Sequence, residues 1–97
     1  MSEDIPFDEA ATLLGLMAND SRLRIFELIT QREWDVGSLA VTLHISQSAL
    51  SQHLKKMRDL KVVAIRRDRQ TVFYSSNHEG VLRLLGTLKG MFDPPAA

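Results

Sequence analysis

Residues 45–58 read Ile45-Ser46-Gln47-Ser48-Ala49-Leu50-Ser51-Gln52-His53-Leu54-Lys55-Lys56-Met57-Arg58, and their periodicity decides the fold. Leu50, Leu54 and Met57 recur at the spacing of a helix that buries one stripe. Ser48, Ser51, Gln52 and Lys55 project from the opposite side, with Gln47 near the boundary in the first turn. A solvated helix usually carries Glu–Lys pairs on its outer face, whereas this one meets no acid until Asp59. Ser46 suits the N-cap position, where its hydroxyl accepts from an otherwise unpaired backbone N–H. Ile45 and Leu50 then stand at the two positions of a hydrophobic staple, which fixes how the chain enters the helix. A base-reading helix needs that firmness, because its N-terminal residues touch the base edges. The stretch is therefore expected to be a recognition helix for the DNA major groove.

Upstream, a helix is expected from Val36 or Gly37 to His44, with Leu39, Ala40 and Leu43 inward. A turn at His44-Ile45-Ser46 separates it from the recognition helix, and two short helices joined in this way form a helix-turn-helix. Two further helices precede the pair. Pro6 suits a helix start, and Phe7 to Met17 carries Ala10, Leu13, Leu14 and Met17 at helical spacing. Asn19 is a good N-cap for a helix from Asp20 to about Gln31 with Leu23, Phe26, Leu28 and Ile29 on its stripe. Downstream of Leu60 the period changes to alternation: Val63 with Ile65, then Val72 with Tyr74, around Arg66-Arg67-Asp68-Arg69-Gln70. This predicts a β-hairpin with a basic tip, which after a recognition helix makes a wing. A last helix is expected from about His78 to Phe92. The fold class is thus mainly α with a small β-hairpin, a winged helix-turn-helix in the order α-α-α-α-β-β-α.

The 97 residues make one domain, able to bury roughly two-thirds of its unfolded surface. Residues 6–92 are expected to form the DNA-binding and dimerisation domain, flanked by a disordered N-terminus at 1–5 and a loose tail at 93–97, where two prolines would stop any helix. No apolar run approaches the ~20 residues of a membrane span, and Met1-Ser2-Glu3-Asp4 lacks the features of a secretory signal, so a cytoplasmic protein with no membrane partner is expected. The chain has no cysteine, which removes disulfides, thiolate metal sites and thiol nucleophiles together. No nucleophile elbow, phosphate loop or carboxylate pair appears, so an enzyme is not expected.

The net charge is zero, but its distribution is not even. Residues 1–35 hold eight acids against three bases, whereas residues 46–74 hold seven bases against two acids. A basic block on one part of a small domain is the footprint of a DNA-binding face; the plainer alternative is a solvated charged surface. Gln can bond bidentately to adenine and Ser can donate or accept at several bases. Gln47, Ser48, Ser51 and Gln52 are accordingly the candidate base readers. Ser46, His53, Lys55, Arg58, Arg66, Arg67, Arg69 and Gln70 are candidates for backbone or minor-groove contact, which supplies affinity more than specificity. Lys56 and Lys61 read as plain surface. His44, His53 and His78 show no ligand spacing for a metal. Trp34, Phe26 and Phe73 read as packing groups, and Met17, Met57 and Met91 as core filler.

The last helix carries Val81, Leu82, Leu84, Leu85, Leu88, Met91 and Phe92 around most of its circumference, and the first carries Leu13, Leu14, Leu16 and Met17. A helix apolar nearly all round must be buried on more than one side. In so small a domain the second side is expected to be another subunit, making these residues a homodimer interface.

Together these pieces resemble the ArsR/SmtB family of winged-helix repressors from about Phe7 to Phe92. Met17-Ala18-Asn19-Asp20-Ser21-Arg22-Leu23-Arg24-Ile25 is similar to that family's Ala-Asn/Asp-Pro-x-Arg-Leu-x-Ile segment, with Asp20 in place of the proline. Ser46 to Leu54 is similar to its Ser-x-x-x-x-Ser-x-His-Leu recognition helix, and Val63 to Tyr74 to its wing. The resemblance implies a homodimeric repressor, often released from DNA by a metal or by oxidation. Here the pattern is broken. Asp35 and Gly37 occupy the cysteine places of the family's metal motif within Glu33-Trp34-Asp35-Val36-Gly37, and Gly80 and Met91 stand where the last helix would need histidines. No cofactor is therefore expected. Two other readings stay open from the sequence: a regulator with an unrecognised effector site, and a winged-helix protein-interaction module that does not bind DNA.

Overall fold

Four polar side chains set where the helices begin. Asn19 Oδ1 accepts from Arg22 N at 2.9 Å, Asp35 Oδ2 from Ser38 N at 3.0 Å, Ser46 Oγ from Ala49 N at 3.0 Å and His78 Nδ1 from Val81 N at 3.2 Å. Each satisfies a backbone donor that the first helical turn leaves unpaired. The computed structural model describes residues 4–93. In chain order its elements are α1 (Phe7–Met17), α2 (Asp20–Ile29), β1 (Trp34–Asp35), α3 (Val36–Leu43), α4 (Gln47–Asp59), β2 (Ala64–Asp68), β3 (Thr71–Ser75) and α5 (Glu79–Phe92).

The helix-turn-helix is α3 and α4. His44 closes α3 in the left-handed region at φ 59°, and Ile45 N donates to Ala40 O at 3.1 Å. That satisfies a carbonyl at the end of α3 and turns the chain sharply into the Ser46 cap. Leu50, Leu54 and Met57 of α4 are all fully buried, against Ile25, Phe26 and Ile29 of α2 and Leu39 and Ala40 of α3.

The wing is β2 and β3, joined by Arg69-Gln70 with Arg69 at φ 58°. A two-residue hairpin loop needs a positive φ to match the twist of its strands, and an arginine supplies it here at some steric cost. The sheet has a third strand that alternation did not reveal. β1 pairs antiparallel with β3, giving the order β1-β3-β2 with Trp34 opposite Tyr74 and Asp35 opposite Phe73. Trp34 Nε1 donates to Leu28 O at 3.0 Å, which holds β1 against the end of α2. Helix α2 closes at Ile29, short of the expected Gln31, because Gln31 N reaches Leu28 O in a tighter turn.

The terminal helices correct part of the expected interface. Leu16, Met17, Val81 and Leu85 turn into the protomer's own core and are at most 8% exposed. Helix α5 packs closely on α1, since a Cβ on Gly80 would lie 3.1 Å from Leu13 Cδ2. One side of each helix is thereby covered without a partner. Leu13, Leu84 and Leu88 are half-buried, while Leu14, Leu82, Met91 and Phe92 remain exposed. Met17 and Met57 are core residues as expected, but Met91 is 67% exposed and fills no core. The expected loose ends fall mostly at 1–3 and 94–97, outside the described residues.

Candidate nucleic-acid interface

Gln47, Ser48, Ser51 and Gln52 all lie exposed on α4. None of the four side chains makes a hydrogen bond among the described residues. Burial of Leu50, Leu54 and Met57 fixes the rotation of the helix, so the four polar groups must face outward. Ser46, also exposed, serves as the cap. Lys55 and Lys56 are exposed on the same helix, with Lys55 Nζ 3.0 Å from Asp59 Oδ2. An exposed pair of that kind contributes little and leaves the lysine free to exchange partners.

His53 is placed differently from its neighbours. It is half-buried, and Arg22 Nη1 lies 3.3 Å from its Nδ1. A guanidinium can only donate, so Nδ1 is the acceptor in this contact, which favours the neutral ring. Burial, then the charges of Arg22 and Lys56, push the imidazole below its ordinary pKa. Arg22 Nε also donates to Leu16 O. Arg22 thus ties the end of α1 to the middle of α4. The sequence places Arg22 in a motif but does not reveal this partner 31 positions away.

The wing's arginines separate by the pleat. Arg66 stands in the row Asp35–Phe73–Arg66, and Ile65 in the row Trp34–Tyr74–Ile65. Successive strand residues point to opposite faces, so Arg67 shares the Ile65 and Tyr74 face. That face meets α4: Tyr74 is buried and its hydroxyl accepts from Arg58 Nη1 at 3.3 Å. Arg67 and Arg69, with Gln70, are exposed at the end of the wing. Among the described residues, neither Arg67 nor Arg69 makes an ion pair. Arg66 lies on the opposite face. Its guanidinium stacks on Phe73 at 4.5 Å from the ring centre and forms a fork with Glu33, Nη2 to Oε1 at 2.7 Å and Nε to Oε2 at 3.0 Å. Arg66 holds the Glu33 carboxyl below the usual carboxylate range.

Among the described residues no cluster of three His, Cys, Asp or Glu side chains could hold a metal ion. Asp35, in one of the places where a metal motif would have cysteine, is occupied in capping α3, and the Ser38 backbone N–H lowers its pKa. No helix of the described residues is long and apolar enough to cross a membrane.

Residues 19–64 match the family profile described as bacterial regulatory protein, arsR family. Nodulation protein NolR of Rhizobium meliloti is 47% identical over 83 residues, covering 86% of this chain and 68% of that protein. The transcriptional activator HlyU of Vibrio cholerae is 39% identical over 84 residues, covering 87% of this chain and 78% of its own length. The crystal structure of NolR from Sinorhizobium fredii superposes with a TM-score of 0.87 at 40% identity, covering 98% of this chain and 100% of that one.

Proposed function

The chain belongs to the ArsR family, whose members are DNA-binding transcriptional regulators and not enzymes, and we propose that it acts as a homodimeric repressor in the cytoplasm, its two α4 helices reading an imperfect palindrome. The observation that carries this reading is the face of α4 bearing Gln47, Ser48, Ser51 and Gln52, exposed opposite a fully buried stripe. Gln47 and Gln52 offer paired donor and acceptor groups to base edges, and the serines adapt to several. Lys55, Arg58, Arg67, Arg69 and Gln70 supply backbone and minor-groove contact around that centre.

The second copy is argued from the terminal helices. Phe7, Leu14, Leu82, Met91 and Phe92 are between 43% and 79% exposed, a concentration of large apolar groups that marks an interface. Leu82, Gly86 and Gly90 are spaced by four on α5, and a Cβ on either glycine would meet nothing within 4 Å. Glycine inside a helix costs about 1 kcal/mol relative to alanine, a cost offset where a partner's backbone comes close. A two-fold axis through such an interface sets the two α4 helices in successive major grooves, about 34 Å apart. A dimer seated on a promoter excludes polymerase, hence repression.

Selection of DNA from a random pool with the purified protein tests this reading. The expected product is a palindrome with half-sites one helical turn apart, and a reporter carrying it upstream of a promoter should fall in output when the protein is expressed. Recovery of single, unrepeated half-sites would remove the dimer, and a rise in output would replace repression by activation.

A further inference from the structure

We propose that Glu33, Arg66 and Phe73 form a brace that sets the wing's position for DNA binding, and that Arg66 is a positioning residue and not a phosphate contact. The inference rests on the DNA-binding reading of α4 and the wing given above.

In the sequence, Arg66, Arg67 and Arg69 form one basic run, and any of the three could be assigned to phosphate. The pleat divides them. Arg67 lies on the face that meets α4 through Tyr74 and Arg58, whereas Arg66 lies on the other face beside Phe73. Arg66's guanidinium is engaged by Glu33 and Phe73 on that face. Glu33 accepts from both Nε and Nη2, so the planar guanidinium and the carboxylate meet as a fork. The guanidinium also covers the Phe73 ring. A planar fork joined to a ring stack fixes both orientation and distance, which a lysine at this site would not do.

What the fork joins gives it a role. Glu33 immediately precedes β1, and β1 runs directly into Asp35, the cap of α3. Arg66 is in the middle of β2, an edge strand paired only with β3. The ion pair therefore reaches across the sheet, from the segment that starts the helix-turn-helix to the outer strand of the wing. Without it, β2 joins the sheet at this row through its ladder to β3, and beyond this row the wing is a two-stranded ribbon, which twists and shifts readily. Arg67 and Arg69 sit at the far end of that ribbon, so a small change of angle at Arg66 displaces them from the backbone they contact.

The test is a double-mutant cycle on the full chain with the selected operator duplex, comparing wild type, Glu33→Gln, Arg66→Gln, the double variant and the charge swap Glu33→Arg with Arg66→Glu. Arg67→Gln serves as the arm for the DNA-binding reading itself. Binding is measured at several salt concentrations. A brace predicts that each single variant weakens binding by about two- to fivefold, the range for an exposed pair. The double variant should be no weaker than either single, the swap should recover most of the loss, and the slope against salt should stay that of wild type. Arg67→Gln should lower that slope by about one. If Arg66→Gln lowers the salt slope by about one while Glu33→Gln leaves binding unchanged or tightens it, Arg66 contacts phosphate and the brace is wrong. A swap that fails to recover binding while both chains melt like wild type also overturns it. If Arg67→Gln leaves both affinity and slope untouched, the wing-to-DNA reading fails, whatever the cycle shows.

Discussion

Ser46 separates the stability of the recognition helix from its use, because two substitutions at this position should move the two properties in different directions. Its hydroxyl accepts from Ala49 N at 3.0 Å, and its backbone has the extended geometry of an N-cap at φ −70° and ψ 153°. Replacing it with alanine leaves that donor to water and costs about 1 kcal/mol. For a domain of this size that corresponds to a melting point lower by about 4–8 °C at fixed protein concentration. Aspartate caps as well as serine, and its charge is favourable at a helix N-terminus. Ser46→Asp should therefore melt no lower than wild type.

DNA affinity should respond in another order. The exposed cap stands at the end of α4 expected to enter the groove, so a carboxylate there meets the phosphates. At ~5 Å in water each unit charge repels by about 0.8 kcal/mol, and two phosphates in reach weaken binding by about tenfold. Ser46→Ala should lose less than that. The assays are thermal melting by circular dichroism and a fluorescence-anisotropy titration of the operator. If Ser46→Asp binds as tightly as wild type, α4 does not point its N-terminus at DNA. If it melts several degrees lower, the capping argument is wrong.

Three further outcomes follow from the same geometry. Arg69→Gln should weaken specific and non-specific DNA alike and reduce the slope of log affinity against log salt by about one, as measured by titrations at graded salt; a loss confined to one base position would assign it to readout instead. Because burial, Arg22 and Lys56 lower the folded pKa of His53, its unfolded form binds the proton first, at about pH 6.5. Its contribution is complete above that value and is lost as pH falls from there toward the folded pKa, so the urea midpoint should drop between pH 7.5 and 5.5 by more in wild type than in His53→Gln, and equal drops would refute the lowered folded pKa of His53. Leu82→Asp places a charge on the exposed face of α5 and should convert the proposed dimer to monomer in light scattering; an unchanged dimer mass would move the interface elsewhere.

Local features were legible from residue patterns alone. Ser46 and Asn19 appear as caps, and Leu50, Leu54 and Met57 are buried as their spacing requires. Features made by distant residues were not. Strand β1 is two residues long, too short to show alternation, and exists only because β3 pairs with it. The surplus of apolar residues on α1 and α5 signals burial on two sides but not which residue faces which. Leu16, Met17, Val81 and Leu85 belong to the core, and the exposed remainder is what a second copy can use. Within the candidate interface, the four polar positions of α4 follow from helical period. The separation of Arg66 from Arg67 follows from strand period, but its consequence depends on Glu33, 33 positions away. His53 likewise looks like another polar residue of α4 until Arg22 is beside it.

The side-chain amides of glutamine give the most direct measurement of whether α4 faces bases. The chain has four: Gln31, Gln47, Gln52 and Gln70. Gln31, just beyond the end of α2 and outside the proposed interface, is bonded to Glu27 at 2.8 Å and serves as an internal reference. In a nitrogen-edited NMR titration with the selected duplex, the Gln47 and Gln52 amide pairs should shift strongly and exchange more slowly with water, while Gln31 stays in place. Tight DNA binding that leaves Gln47 and Gln52 unmoved would contradict the assignment of α4 as the reading helix.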